Sequence, residues 1–225
     1  MATPTPASRE VAEGSLIDGQ PLVVFILSPD QLQQSGFLPS LVTTINAAYR
    51  YRFKLQPELK VQSSESRLSS EEDFLSSTSS DPAAFVIVLS PRGSVETLGT
   101  ASCAPFRGPP EGVSSPWVRN LEPQPDCTEW MLGLMATHPS AQRHGLASFM
   151  LDLAEREVIR RSVQQTEQVP KERHPTPLGA VKMILSTAKE LNEAFYTKRG
   201  YQMDYDFPRG QGFNFHVTHM SKLLT

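Results

Sequence analysis

The chain has 225 residues, with 21 Lys and Arg against 24 Asp and Glu and a formal net charge of -3 at pH 7. That length builds one sizeable core without requiring a second domain, and the scattered positive charges offer no basic face to nucleic acid. No apolar run approaches the ~20 residues of a membrane span and the start, Met-Ala-Thr-Pro-Thr-Pro-Ala-Ser, has no signal-peptide pattern, so a soluble cytoplasmic protein with no nucleic-acid or membrane partner is expected.

Residues 1–20 contain Pro, Ser and Gly with little periodicity and are expected to be a mobile leader, leaving residues 21–225 as a single domain. Residues 22–27 (Leu-Val-Val-Phe-Ile-Leu) predict a first strand, and the Ser-Pro-Asp behind them is a helix start. Leu41, Ile45, Ala48 and Tyr49 recur at helical spacing. Residues 62–81 are serine-rich and acidic and read as a connector with a short helix around residues 71–75. Residues 84–89 predict the next strand and 97–105 its hairpin partner, with Pro91-Arg-Gly-Ser between them as turn chemistry. Residues 105–126, rich in proline, and residues 162–177 lack any period and predict two long surface loops. Cys103 and Cys127 have no histidines at ligand spacing, which predicts buried reduced thiols and no metal.

Residues 130–137 (Trp-Met-Leu-Gly-Leu-Met-Ala-Thr) form a continuous apolar run of the kind buried on both faces of a sheet. A helix follows in which Leu146, Phe149, Met150, Leu153, Ala154 and Val158 make one apolar stripe. Asp152, Glu155, Arg156, Glu157, Arg160 and Arg161 make its charged face. Between strand and helix stands Gln142-Arg143-His144-Gly145-Leu146-Ala147, which reads as an anion-binding turn. A glycine there lets the backbone approach a phosphate, and the helix start aims free N–H groups and its positive dipole end at it. The expected ligand carries a pyrophosphate. Further on, residues 181–188 predict a strand, residues 191–199 a helix stopped by Gly200, and residues 201–207 and 213–220 two closing strands.

The loop resembles the pyrophosphate loop of the GNAT superfamily of acyl-CoA N-acyltransferases, with Gln142, Gly145 and Ala147 on the constrained positions. Leu191-Asn-Glu-Ala-Phe-Tyr-Thr-Lys-Arg-Gly-Tyr201 is similar to the same superfamily's later helix and turn. Residues 45–49 (Ile-Asn-Ala-Ala-Tyr) resemble its first helix, at the acceptor site. The resemblance implies an α+β fold: a central, mostly antiparallel sheet of six to seven strands, helices on both faces, splayed between the fourth and fifth strands. It implies acetyl-CoA as cosubstrate, with Met135, Ala136 and Thr137 offering main-chain groups to its pantetheine. Residues Gln142, Arg143, His144, Gly145, Leu146 and Ala147 would cradle the pyrophosphate, and Asn192 would bond the pantetheine arm or the adenine-side phosphates. His144 stands where the family commonly has a basic residue.

The reaction so implied is direct transfer of an acetyl group to a primary amine within a ternary complex. The amine must lose a proton, the oxyanion needs a donor and the leaving sulfur must be protonated. Tyr196 matches the family's tyrosine facing the sulfur, and its phenol can donate at neutral pH. Many relatives carry a glutamate at the position that falls on Met131 here, and a thioether cannot accept that proton. Glu129, two residues earlier on the same strand face, is the substitute base, working through a water, with Asp126, His138 or no dedicated base as alternatives. A small-molecule amine is the expected acceptor, in a monomer or homodimer. A peptide or protein amine, or a non-catalytic acyl-CoA-binding module, is the alternative.

Overall fold

Ser28 shows how closely local sequence sets this fold. Its hydroxyl accepts the Gln31 N–H at 3.2 Å while the Gln31 side chain accepts the Ser28 N–H at 2.9 Å, a capping box that ends one strand and starts a helix at Pro29. The computed structural model describes residues 8–9, 16–17, 20–59, 66–78, 81–112, 115–124, 126–167, 179–210 and 212–224. Its strands are β1 (Ser8–Arg9), β2 (Leu16–Ile17), β3 (Gln20–Leu27), β4 (Phe85–Pro91), β5 (Gly99–Pro105), β6 (Cys127–Thr137), β7 (Ala180–Ala188), β8 (Gln202–Gly210) and β9 (Phe213–Leu224). The helices are α1 (Pro29–Gln33), α2 (Leu38–Leu55), α3 (Glu71–Ser77), α4 (Leu146–Glu167) and α5 (Lys189–Thr197). Two compact units divide them.

The first unit takes the described residues within Met1–Leu55, Ser64–Ala104 and Gly133–Ala154. Here β1 and β2 both pair antiparallel with β3, within the segment expected to be a leader; the rest of that segment, apart from Gln20 at the start of β3, lies outside the described residues. β3 pairs antiparallel with β4 from Leu22↔Pro91 to Leu27↔Val86, and β4 with β5 from Phe85↔Cys103 to Leu89↔Gly99. The central β4 is buried on both faces from Phe85 to Ser90, as its unbroken apolar run requires. Leu27, Leu32, Leu41, Ile45, Phe74 and Val86 form the core, each such side chain contributing ~1.5–3 kcal/mol by burial. Asn46 holds the stretch before α3 by exchanging two 2.9 Å hydrogen bonds with the Leu68 backbone.

The second unit takes the described residues within Gln56–Ser63, Pro105–Leu132 and Glu155–Thr225. Its strands run in the order β6, β7, β9, β8. β6 and β7 are parallel from Cys127↔Ala180 to Leu132↔Leu185, as a strand pair joined through the α4 crossover must be, and the ladder ends there. β9 is antiparallel to both β7 and β8. Trp130, Val158, Met183, Tyr201, Val217 and Met220 are buried, and the Trp130 indole donates to Ser162 Oγ at 3.0 Å.

That last bond explains one departure from the sequence reading. α4 runs on to Glu167, so residues 162–167 are helical, not loop; no Gly or Pro intervenes, and Ser162 is buried under the Trp130 indole. Residues 168–178 lie outside the described residues. Glu157 also departs from the solvated face assigned to it. It is 5 % exposed and accepts from Arg160 Nε at 2.7 Å, Arg160 Nη2 at 2.6 Å and Arg161 Nε at 2.7 Å. Burial would raise its carboxyl, but the two guanidinium groups outweigh burial and hold it below the usual carboxylate range. The run expected to be buried on both faces is so at Trp130 and Leu132, whereas Gly133 to Thr137 are only half-buried. Cys103 and Cys127 form no disulfide; the first is buried and the second half-buried.

Candidate active site

In the first unit, β6 leads through His138 and a 3-10 turn (Pro139–Ala141) into the glycine loop. The His138 N–H donates to the Leu98 carbonyl at 2.9 Å, and its ring takes the Ser140 N–H at 3.3 Å, so it serves as the turn's cap. Gln142 closes the loop on the strand by donating from Nε2 to the Thr137 carbonyl at 3.3 Å. Arg143 (φ 68°) and Gly145 (φ 78°) are both left-handed, a conformation that turns successive N–H groups toward one side of a loop. The Gly145 carbonyl accepts the Phe149 N–H at 3.0 Å, which makes Gly145 the cap residue of α4 and leaves the first-turn N–H groups from Leu146 onward without helical acceptors.

A Cβ on Gly145 would meet nothing within 4 Å, so the space beside that backbone is open to a ligand. Leu146 and Met150 are buried and anchor the helix start, while Arg143 and His144 are exposed. Ala147, Met135, Ala136 and Thr137 are half-buried. Leu134 and Ala136 pack on the first unit's core. Leu134 itself has φ 45°, a strained conformation inside a strand that costs ~1–3 kcal/mol and that nothing in a leucine announces. The loop's open backbone, its two left-handed residues and a helix N-terminus fit a pyrophosphate.

In the second unit, Glu129 is 3 % exposed. Its Oε1 lies 3.6 Å from Lys182 Nζ, its partner across the parallel ladder, and Oε2 is buried with no hydrogen-bond partner among the described residues. Met131 stands beside Ile184 two residues on, on the same sheet face. Asp126 is exposed.

The opposite face of β7 carries Met183 and Thr187. Asn192 donates from Nδ2 to Thr187 Oγ1 at 2.9 Å. Tyr201 donates to Met183 Sδ at 2.9 Å and meets Tyr196 edge to face, with centroids 5.6 Å apart. Tyr196 is 7 % exposed, and burial pushes its phenol above the ordinary tyrosine value. Glu129 and Tyr196 therefore belong to opposite faces of the second unit's sheet. Lys182, Leu134, and the pair Ser186 and His219 were not visible as site features in the sequence. Among the described residues, no group of three or more His, Cys, Asp or Glu could hold a metal ion, and no helix is long and apolar enough to cross a membrane.

No protein-family model and no curated protein matches the sequence. Solved structures do match the fold. The GNAT domain of S. lividans PAT is 16% identical over 98% of this chain and 99% of that one, with a TM-score of 0.53. An aminoglycoside 6'-acetyltransferase type Ii is 12% identical over 90% of this chain and 97% of its own, with a TM-score of 0.52. The ribosomal-protein-S18-alanine N-acetyltransferase from Escherichia coli is 13% identical over 91% and 94%, with a TM-score of 0.50. The chain has the GNAT fold, with its mostly antiparallel strands, the parallel pair β6 and β7, and flanking helices.

Proposed function

We propose that the chain is an acetyl-CoA-dependent N-acetyltransferase that transfers the acetyl group to a primary amine of a small molecule by direct attack in a ternary complex. The observation that carries this reading is the loop from Gln142 to Ala147, with two left-handed residues, open space beside Gly145 and the start of a 22-residue helix directly behind it. In this reading the loop holds the pyrophosphate and the main chain of Met135, Ala136 and Thr137 holds the pantetheine, and Asn192 is assigned, by the resemblance, to the pantetheine arm or the adenine-side phosphates. The cosubstrate supplies the thioester carbon that the amine attacks.

Tyr196 protonates the departing sulfur. Its raised pKa keeps the phenol protonated at neutral pH and so available as a donor. Glu129 is the carboxylate on the opposite face, and with its side chain 1% exposed it reaches an amine only through a water. The similar structures include enzymes named for a small aminoglycoside and for a ribosomal protein. A small acceptor is our first reading, and the segment around residues 116–120 is tied down by three polar contacts. Arg119 pairs with Asp204 at 2.6 Å, the Asn120 N–H donates to Tyr205 at 3.0 Å, and the Pro116 carbonyl lies 2.8 Å from His219 Nε2. We assign the reaction to the cytoplasm, where thiols such as Cys103 and Cys127 stay reduced.

Thiol release from acetyl-CoA, followed with a panel of small amines and N-terminal peptides, tests the reading. Release with small amines alone supports it. Release with peptides alone shifts the acceptor class, and CoA binding without release from any amine contradicts enzymatic function.

A further inference from the structure

Lys182 and Ile184 lie on the sheet face of the second unit that also carries Glu129 and Met131. The next side chain of β7 on that face is Ser186, one residue past the last rung of the β6–β7 ladder, and opposite it on β9 stands His219. His219 is fully buried, with Nδ1 2.9 Å from Ser186 Oγ and Nε2 2.8 Å from the Pro116 carbonyl oxygen. A carbonyl oxygen can only accept, so Nε2 carries the hydrogen and the neutral ring offers its Nδ1 lone pair to the Ser186 hydroxyl.

The ring is held in place. Tyr205 stacks on it with centroids 4.4 Å apart and planes 20° apart, and Phe207 meets it edge to face at 5.5 Å. The charged groups that face it are Asp204 and Arg119, paired with each other at 2.6 Å, and they act on it in opposite directions. Burial, the largest influence, holds the imidazole below its ordinary pKa, so it rests neutral at physiological pH. Should the ring gain a proton, both nitrogens would still be satisfied, because Ser186 Oγ accepts as readily as it donates. Ser186 is half-buried, unlike the deeply buried carboxylate of Glu129.

We propose that Ser186 is the catalytic residue that takes the proton from the attacking amine nitrogen, with His219 behind it as the positioning residue that receives the serine's own proton. This rests on the N-acetyltransferase reading above. As the C–N bond forms, the nitrogen's proton moves to Ser186 Oγ and the hydroxyl proton moves to His219 Nδ1. The C–S bond then breaks, the sulfur takes a proton from Tyr196, and the imidazolium returns one proton through solvent to the tyrosine. Nothing is oxidised or reduced. The relay supplies what Met131 cannot, on the face where Met131 stands.

The test is the pH profile of kcat/KM for the full chain, from about pH 5 to 8, with acetyl-CoA and an amine taken from the acceptor panel. The wild type should rise with pH through the depressed pKa of His219, read independently from the ring C–H shifts by NMR, and then level off. Ser186→Ala should lose that limb and about 10²-fold in kcat with KM for acetyl-CoA little changed, whereas Ser186→Thr, which keeps the hydroxyl, should keep the limb. A Ser186→Ala profile that overlays the wild type overturns the relay, as does loss of the limb in Glu129→Gln alone. If Ser186→Ala does not fold, a wild-type limb that fails to coincide with the NMR titration of His219 overturns it equally. Wild-type protein that binds CoA but acetylates no amine fails at the underlying reading instead.

Discussion

Glu129 and Lys182 face each other across the parallel β6–β7 ladder, with Oε1 3.6 Å from Nζ and the carboxylate far more deeply buried than the ammonium. At that separation and depth Lys182 is the basic partner that offsets the burial of the Glu129 carboxyl group. Lys182→Met should therefore cost about 3 kcal/mol of unfolding free energy at neutral pH, because it strands a buried charge. Adding Glu129→Gln to it should recover most of the loss. Urea denaturation of the single and double variants checks this, and additive losses would show that the pair is not coupled.

Tyr196→Phe removes one donor and little volume from a buried ring packed between Phe195 and Tyr201. CoA affinity should change modestly while turnover falls by about 10²-fold, the scale of a lost general acid. Steady-state kinetics decide it: an unchanged turnover number would make the tyrosine a packing residue only.

Much of this fold was legible because its periods are long and clean. The strand runs at residues 22–27, 84–89 and 181–188 and the apolar stripe of α4 all lie where patterning puts them. Gly200, at φ 85°, ends the last helical turn as a left-handed C-terminal glycine should. What escaped were features set by tertiary contact. Glu157 reads as surface charge until Arg160 and Arg161 are seen folded over it, and Ser162 reads as the start of a loop until Trp130 claims its hydroxyl. The Ser186 and His219 contact joins residues 33 apart through strand register, which one sequence does not reveal. Leu134 carries no residue signal for its left-handed backbone. The loop motif was visible because its geometry rests on glycine chemistry, which is local.

His219 gives the protein an acid-sensitive window. Burial lowers its folded-state pKa below the ordinary value of about 6.5, so below that pH the unfolded chain binds a proton that the native ring does not. The stability this group preserves is complete above about pH 6.5 and is lost as pH falls through the depressed folded value, at up to ~1.4 kcal/mol per pH unit. Glu157, whose carboxyl is held low, adds its own loss only further down, as pH falls from the ordinary carboxylate range through its depressed folded value. Denaturation midpoints across this range should show the upper slope in the wild type and a flatter one in His219→Gln. Parallel slopes would contradict the assignment.

Gly145→Val fills the open space beside the loop and forces a β-branched residue to φ 78°. The protein should stay folded, since Leu146 and Met150 still anchor α4, but CoA should no longer raise its melting point. Scanning calorimetry with and without CoA checks both halves of the statement.

The most direct measurement of the central claim is titration of the wild-type protein with CoA by calorimetry, beside thermal melting at saturating ligand. Binding to the native state alone predicts measurable heat and a stabilisation of ~2.7 kcal/mol at a hundredfold excess over the dissociation constant, which Gly145→Val should abolish. No heat and no melting shift in the wild type would contradict the assignment of the Gln142 to Ala147 loop as a pyrophosphate cradle, and with it the acetyltransferase reading.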